Sequence, residues 1–260
     1  MSARVPYDDF AEIYDVWSES APITTKNQGF YVRRLVAAAG PAVELGVGNG
    51  RICIEAAKLG KGVNGVDSSS KILELCAARA KKAGVSERLT LLQGDFRDFE
   101  LEEPADLITM PFHSIGHLLT REDKCKALAN IYKQLQPGGQ FIFDHFVFDP
   151  SYGPGSGVPY LRAEFRNPET GRDILLWEAT TRDPEHQMLR IVVFTDDIDA
   201  GGNVVHRRYR RMNLSWMTVE QSFDLLEEAG FEIEAAYGDF DESPMDETST
   251  HQVWVAVRRA

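Results

Sequence analysis

From Ala42 to Ile142, short apolar runs alternate with amphipathic stretches, the pattern of parallel strands joined by helices. The runs Ala42–Gly46, Gly62–Asp67, Leu89–Gln93, Ala105–Met110 and Gln140–Asp144 are predicted strands. Between them, Ser68–Gly84 sets Ile72, Leu75, Cys76 and Ala83 at helical spacings on one face. Thr120 and Asp123 read as a helix start, with the hydroxyl capping and the carboxylate near the positive end of the dipole. That helix presents Leu128, Ile131 and Leu135 and is expected to stop at Pro137-Gly138-Gly139.

Past Pro150 the texture changes. Tyr160–Arg166, Arg172–Thr181, Met188–Asp199 and Asn203–Leu214 read as extended segments. They are separated by the turns Asn167-Pro168-Glu169-Thr170-Gly171, Asp183-Pro184-Glu185-His186 and Ala200-Gly201-Gly202. The pattern predicts an antiparallel β meander inserted into the α/β unit. A helix follows, opened by the capping-box pair Thr218 and Gln221 and closed by Gly230. Two strands, Phe231–Phe240 and Gln252–Arg258, flank the acidic loop Asp241–His251. The expectation is one domain over 1–260: a helical cap (1–40), an α/β core (41–150), the meander (151–214) and a returning helix with two strands (215–260).

Composition narrows the class. With 43% hydrophobic and 26% charged residues the chain is an ordinary globular one. No apolar run spans a bilayer and no signal sequence opens the chain, so a reducing cytoplasm is expected, with no membrane partner. Cys53, Cys76 and Cys125 form no C-x-x-C pair and read as helical core positions. A net charge of −12 argues against a nucleic-acid partner, which needs concentrated Lys and Arg.

The strongest chemical signal is Glu44-Leu45-Gly46-Val47-Gly48-Asn49-Gly50 at the end of the first predicted strand. A dinucleotide fingerprint would need a third glycine at Arg51, counting from Gly46, or at Cys53, counting from Gly48, and fails in both registers. The pattern E-x-G-x-G-x-G instead resembles the first motif of class I S-adenosylmethionine methyltransferases. Asp67 closes the second strand, Asp95-Phe96 follows the third, and Ala105–Met110 and Leu135–Gly139 resemble that family's fourth strand and the turn before its fifth. The resemblance runs from Tyr7 to about Pro150 and resumes from Leu214. At Tyr7–Asp15 it is nearest to small-molecule N-methyltransferases acting on aminosugars and amino acids.

The resemblance implies a Rossmann-like seven-stranded sheet with helices on both faces and a reversed last strand, carrying the meander as an insertion. It implies S-adenosyl-L-methionine as cofactor and S-adenosyl-L-homocysteine as product. The implied cofactor residues are Tyr14, Glu44, Gly46, Gly48, Gly50, Asp67, Ser68, Asp95, Phe96 and Met110, with Asp67 on the ribose hydroxyls and Asp95-Phe96 on the adenine. Tyr14 also shares helical spacing with Phe10, Ile13 and Trp17, which alone would make it a packing residue.

For the chemistry, in open α/β sheets ligands bind beyond the carboxyl ends of strands, so His113 after the fourth strand is the first candidate for a base or orienting residue. His117 ranks lower, and Asp144-His145 after the fifth strand is the second candidate site, giving Tyr14, His113 and His145 as the catalytic set. No metal is expected. The expected reaction is in-line methyl transfer to a nitrogen, less favoured an oxygen, of a small molecule. The alternatives are an RNA- or protein-modifying methyltransferase and a non-catalytic S-adenosylmethionine-binding module. The run His206–Arg211 reads first as a solvated, ion-paired face and second as a site for an acidic acceptor. The meander is expected to serve as a substrate lid or a homodimer contact, and Asp241, Glu242, Asp246 and Glu247 read as a solvated loop.

Overall fold

Strand β1 (Ala42–Leu45) is buried at every position because it runs through the middle of a sheet covered on both faces. The computed structural model describes residues 6–20, 23–148, 157–167 and 170–259. Around β1, strands β2 (Val63–Asp67), β3 (Leu89–Gln93), β4 (Ala105–Met110) and β5 (Leu135–Phe146) pair in parallel. The sheet is completed by β10 (Phe231–Tyr237) and β11 (His251–Arg258), in the order β3-β2-β1-β4-β5-β11-β10. The last strand, β11, is antiparallel to both its neighbours and is the reversed one.

Successive side chains of each central strand point to opposite faces, so Leu107 and Ile108 enter different cores. On one side, Ile108, Phe141 and Phe143 pack against Leu128 and Ile131 of α5 (Arg121–Gln134) and Leu225 and Leu226 of α6 (Val219–Glu228). On the other, Leu107, Val253 and Val255 share a core with α2 (Ile23–Ala37), α3 (Cys53–Lys58) and α4 (Ser70–Ala83), through Tyr31, Ala56 and Cys76.

Between β5 and α6 in the chain lies a separate antiparallel sheet, β6 (Tyr160–Arg166), β7 (Asp173–Asp183), β8 (Met188–Ile198) and β9 (Val204–Ser215). The expected boundary at 150/151 and the turn residues Pro168 and Glu169 lie outside the described residues. The N-terminal segment, including α1 (Tyr14–Glu19), packs on this small sheet: Phe10, Ile13 and Trp17 share a third core with Leu176, Ile191, Val193 and Met212. The arginine run bonds the same two parts together. Arg208 pairs with Glu12, and the buried Arg210 donates to the Asp9 carbonyl (2.6 Å) and to Thr195 Oγ1 (3.2 Å). Arg207, on the other face, pairs with Asp196 and lies over the Phe194 ring.

Several ends differ from expectation. Helix α5 stops at Gln134, not at Pro137-Gly138-Gly139, because Leu135 is already extended and pairs with Ala105. The three residues that read as a helix stop therefore belong to β5, where the β4–β5 register shifts between Ala105 and Leu107. Helix α4 begins at Ser70 rather than Ser68, capped by Ser69, whose hydroxyl accepts from the Ile72 amide. The buried face of α4 is Ile72, Leu73, Cys76 and Ala80, whereas Leu75 and Ala83 are only part-buried. Thr120 and the Thr218–Gln221 capping box stand as expected. Strand β10 ends at Tyr237 rather than Phe240, and Phe240 turns back into the core. Among the described residues, no helix is long and apolar enough to cross a membrane.

Candidate active site

A cavity of about 500 Å³ opens at the carboxyl ends of β1, β2 and β4, where the strand order switches direction between β1 and β4. Its floor is the glycine loop. Gly46 and Gly48 have φ of +68° and +58°, a region that L side chains avoid. A Cβ at Gly48 would lie 2.5 Å from Tyr14 Oη, and one at Gly46 would lie 2.9 Å from Ser114 Oγ. The loop is thus bare backbone closed against two hydroxyl side chains. Neither Gly48 nor Gly50 lines the cavity; a Cβ at Gly50 would strike Cys76 and Ile54. Tyr14 does line it, its neighbours Phe10, Ile13 and Trp17 having taken the packing role.

Around the loop, acids sit at strand ends. Asp67 accepts from the Gly48 amide (3.1 Å) and the Ser69 amide (3.0 Å), while burial pushes its carboxyl above the ordinary range. Glu44 is 3% exposed, and its Oε2 has no hydrogen-bond partner among the described residues. Burial raises its pKa from 4.5 to about 8, against the pull of Arg51. The Arg51 guanidinium is held by the Thr24 carbonyl (2.7 Å) and Asn27 Oδ1 (2.9 Å) at the same wall. Further along lie Ser68, Gly94, Asp95 and Phe96. Arg97 grips Asp95 with two bonds (2.8 and 2.6 Å) and Asp123 with a third (2.7 Å), holding both carboxyls below the usual range.

The histidines part company. Asp144, fully buried, accepts from the Phe112 amide (2.9 Å), the His113 amide (3.1 Å) and Tyr31 Oη (2.6 Å). Burial pushes its carboxyl up, but the His113 ring at 3.1 Å and these bonds outweigh it and hold it low. The carboxylate thereby pins Phe112 and His113 in consecutive left-handed conformations (φ 62° and 58°). His113 does not line the cavity, nor does His145, which is fully buried. Both are expected at the reacting centre; the turn through Asp144 leaves them out of the cavity lining. Met110 is also displaced, facing the α5–α6 core, and the cavity wall is made by Pro111 and Phe112.

His117 takes the place expected of His113. It ends the turn Ser114–His117, lines the cavity, and its Nε2 lies 2.7 Å from Tyr7 Oη. Lys124 binds the Leu118 carbonyl and Ser215 Oγ (2.6 Å), tying this turn to the end of β9. Arg211, Met212 and Asn213 of β9 complete the wall. The sequence does not single out Thr24, Met212 and Asn213, which lie in no readable motif, nor Arg51, which directly follows the glycine motif; Arg211 belongs to the run whose second reading is an acceptor site. Of the acids read as a solvated loop, Glu242 pairs with Arg34 (3.2 Å), and none of Asp241, Glu242, Asp246 and Glu247 lines the cavity. Among the described residues, no group of three or more His, Cys, Asp or Glu is placed to hold a metal ion.

Comparison with known proteins matches residues 42–139 to a family model described as a methyltransferase domain. An uncharacterized methyltransferase of Oceanobacillus iheyensis is 33% identical over 127 residues, 47% of this chain and 54% of the relative. The chain thus spans about half the length of that relative. A dTDP-3-amino-3,4,6-trideoxy-alpha-D-glucopyranose N,N-dimethyltransferase of Streptomyces venezuelae is 35% identical over 66 residues, 25% of this chain and 28% of the relative. The structure of the CcbJ methyltransferase from Streptomyces caelestis superposes with a TM-score of 0.79 at 23% identity, over 98% of each chain. Residues 42–139 therefore resemble the methyltransferase-domain family, and the chain shares the fold of the CcbJ methyltransferase.

Proposed function

We propose that this cavity binds S-adenosylmethionine and that the chain catalyses methyl transfer to a nitrogen of a small-molecule metabolite. The observation that carries the reading is the buried Glu44 carboxyl, its Oε2 unpartnered among the described residues, beside Arg51 on one wall, with Asp67 and Asp95-Phe96 beyond it. These residues fit the cofactor group by group. Glu44 would hold its ammonium and Arg51 its carboxylate, a planar fork suited to two oxygens. Asp67 would accept from the ribose hydroxyls, and Phe96 would lie against the adenine. When bound, the cofactor supplies an electrophilic methyl group on a sulfonium.

The protein's own contribution is then placement. Holding the acceptor in line at attack distance is worth roughly 7–11 kcal/mol of barrier, so no strong base is required. The acceptor nitrogen forms its bond to carbon as the carbon–sulfur bond breaks, and the electron pair stays on sulfur. The walls contributed by Tyr7, Tyr14 and β9 close the site on the acceptor side, which supports a small acceptor over a polymer. The choice of nitrogen is supported by the N,N-dimethyltransferase relative.

Calorimetric titration with S-adenosylhomocysteine and with NADH tests the reading. Micromolar binding of the former alone is expected, followed by transfer of labelled methyl to members of an amine panel. Folded protein that fails to bind S-adenosylhomocysteine would overturn it.

A further inference from the structure

We infer that Asp15 is a positioning residue that sets the rate of cofactor exchange: its carboxylate latches the N-terminal segment over the glycine loop, and the cofactor enters and leaves when that latch opens. This rests on the cofactor reading above and adds the gate through which the ligand passes. Asp15 follows Tyr14, whose Oη closes on the loop so tightly that a Cβ at Gly48 would lie 2.5 Å away. The charges of Arg51, Glu44 and Asp67 all act on that phenol, which puts it over the end of the cavity that would hold the amino-acid part of the cofactor. One oxygen of Asp15 accepts from Asn49 Nδ2 (2.7 Å) and from Arg79 Nη1 (2.8 Å). Asn49, between Gly48 and Gly50, is buried and lines the cavity, and Arg79 belongs to α4. A single carboxylate thus ties α1 to the glycine loop and to α4.

The segment is held differently on its two sides. Against the small sheet, Phe10, Ile13 and Trp17 are buried, Trp17 Nε1 donates to Glu178 (3.2 Å), and Arg210 donates to the Asp9 carbonyl (2.6 Å). Toward the α/β core it offers polar contacts: Asp15, Tyr7 to His117, and Asp8, which accepts from Ser69 Oγ (2.6 Å). Burial of three large apolar side chains holds more firmly than such contacts, so the segment parts from the core before it parts from the sheet. A second cavity, of about 660 Å³, abuts this seam. It shares Thr24 and Arg51 with the first and is lined by Asp15, Gly50 and Arg79, so opening the latch joins the two.

The atoms joined decide which rates respond. The latch bonds protein to protein and takes no atom of a ligand, so it forms in the free and the loaded protein alike. A bond made equally in both leaves affinity unchanged and slows entry and exit together. The bond from the buried Asn49 amide contributes more than the half-exposed pair with Arg79, which solvent screens.

Stopped-flow tryptophan fluorescence with S-adenosylhomocysteine reads both rates. In Asp15→Ala, association and dissociation should each quicken about tenfold, the worth of one hydrogen bond to a charged group, with the dissociation constant within about threefold of wild type. In Arg79→Met both should quicken about threefold, and the same substitution should add nothing once Asp15 is Ala. An association rate that is unchanged or slower in Asp15→Ala overturns the gate, and additive effects of the two substitutions overturn the shared latch. Hydrogen exchange without ligand is the second measurement. The Gly48 amide, donated to Asp67, should exchange about tenfold faster in Asp15→Ala while β8 keeps its wild-type rates, which also checks the fold. Unchanged exchange at Gly48 overturns the latch. Wild-type protein that fails to bind S-adenosylhomocysteine sinks the cofactor reading instead, and the exchange measurement, made without ligand, separates the two failures.

Discussion

Binding of S-adenosylhomocysteine should expel a proton from Glu44. Burial raises this carboxyl from 4.5 to about 8, so at pH 7 about nine free molecules in ten carry the proton. A ligand ammonium against the unpartnered Oε2 favours the carboxylate, and about 0.9 proton should leave per ligand bound at pH 7. Affinity should accordingly rise almost tenfold from pH 6 to pH 7 and level off above about pH 8. Calorimetry in two buffers of different ionisation enthalpy reads the released proton directly. Glu44→Gln should abolish the buffer dependence and weaken binding at pH 8 by about 1.5–3 kcal/mol, one hydrogen bond to a charged group. The same shift acts on folding. A carboxyl whose pKa is raised in the fold keeps a proton that the unfolded chain releases, so stability falls as pH rises from about 4.5 to about 8. At pH 7 the ligand-free protein carries a cost on the order of 3 kcal/mol, which Glu44→Gln should remove. Tight binding with a buffer-independent enthalpy would refute the pairing of Glu44 with the ammonium.

Other perturbations probe neighbouring parts. Asp67→Ala should weaken S-adenosylhomocysteine by about 1–3 kcal/mol through lost ribose bonds, and unchanged affinity by calorimetry would remove Asp67 from the site. Gly48→Ala, at φ +58° with a Cβ 2.5 Å from Tyr14 Oη, should cost about 1–3 kcal/mol in thermal unfolding and depress cofactor affinity. An unshifted melting temperature would mean Tyr14 is not held against the loop. Burial lowers Lys124 from 10.5 to about 8, so between those values the unfolded chain holds a proton the folded chain has released. Urea midpoints should therefore show wild type gaining on Lys124→Met as pH rises through that window; a flat difference would mean the buried ammonium stays charged.

Much of the core was legible because its signals are local. The strand-end acids Asp67 and Asp95, the glycine spacing from Gly46 to Gly50 and the caps at Thr120 and Thr218 each depend on a few adjacent residues. Strand ends were read less well where pairing overrides turn chemistry, as at Leu135, whose partner Ala105 lies thirty residues away. The glycine loop reached the cavity as expected at Gly46, while Gly50 serves the packing of α3 and α4, a distinction that spacing cannot make.

The histidines show most plainly where local pattern runs out. His113 and His117 stand four residues apart in one loop, and nothing in their neighbours says which meets a ligand. The decision lies with Asp144, on a strand begun after an intervening helix, whose carboxylate captures two backbone amides and turns His113 away. Tyr7, 110 residues earlier in the chain, then meets His117. Amphipathic period, glycine placement and capping act over a few residues and can be read along the chain. The direction of a buried polar side chain is set by whichever distant partner satisfies its hydrogen bonds, and only the folded structure brings that partner within reach.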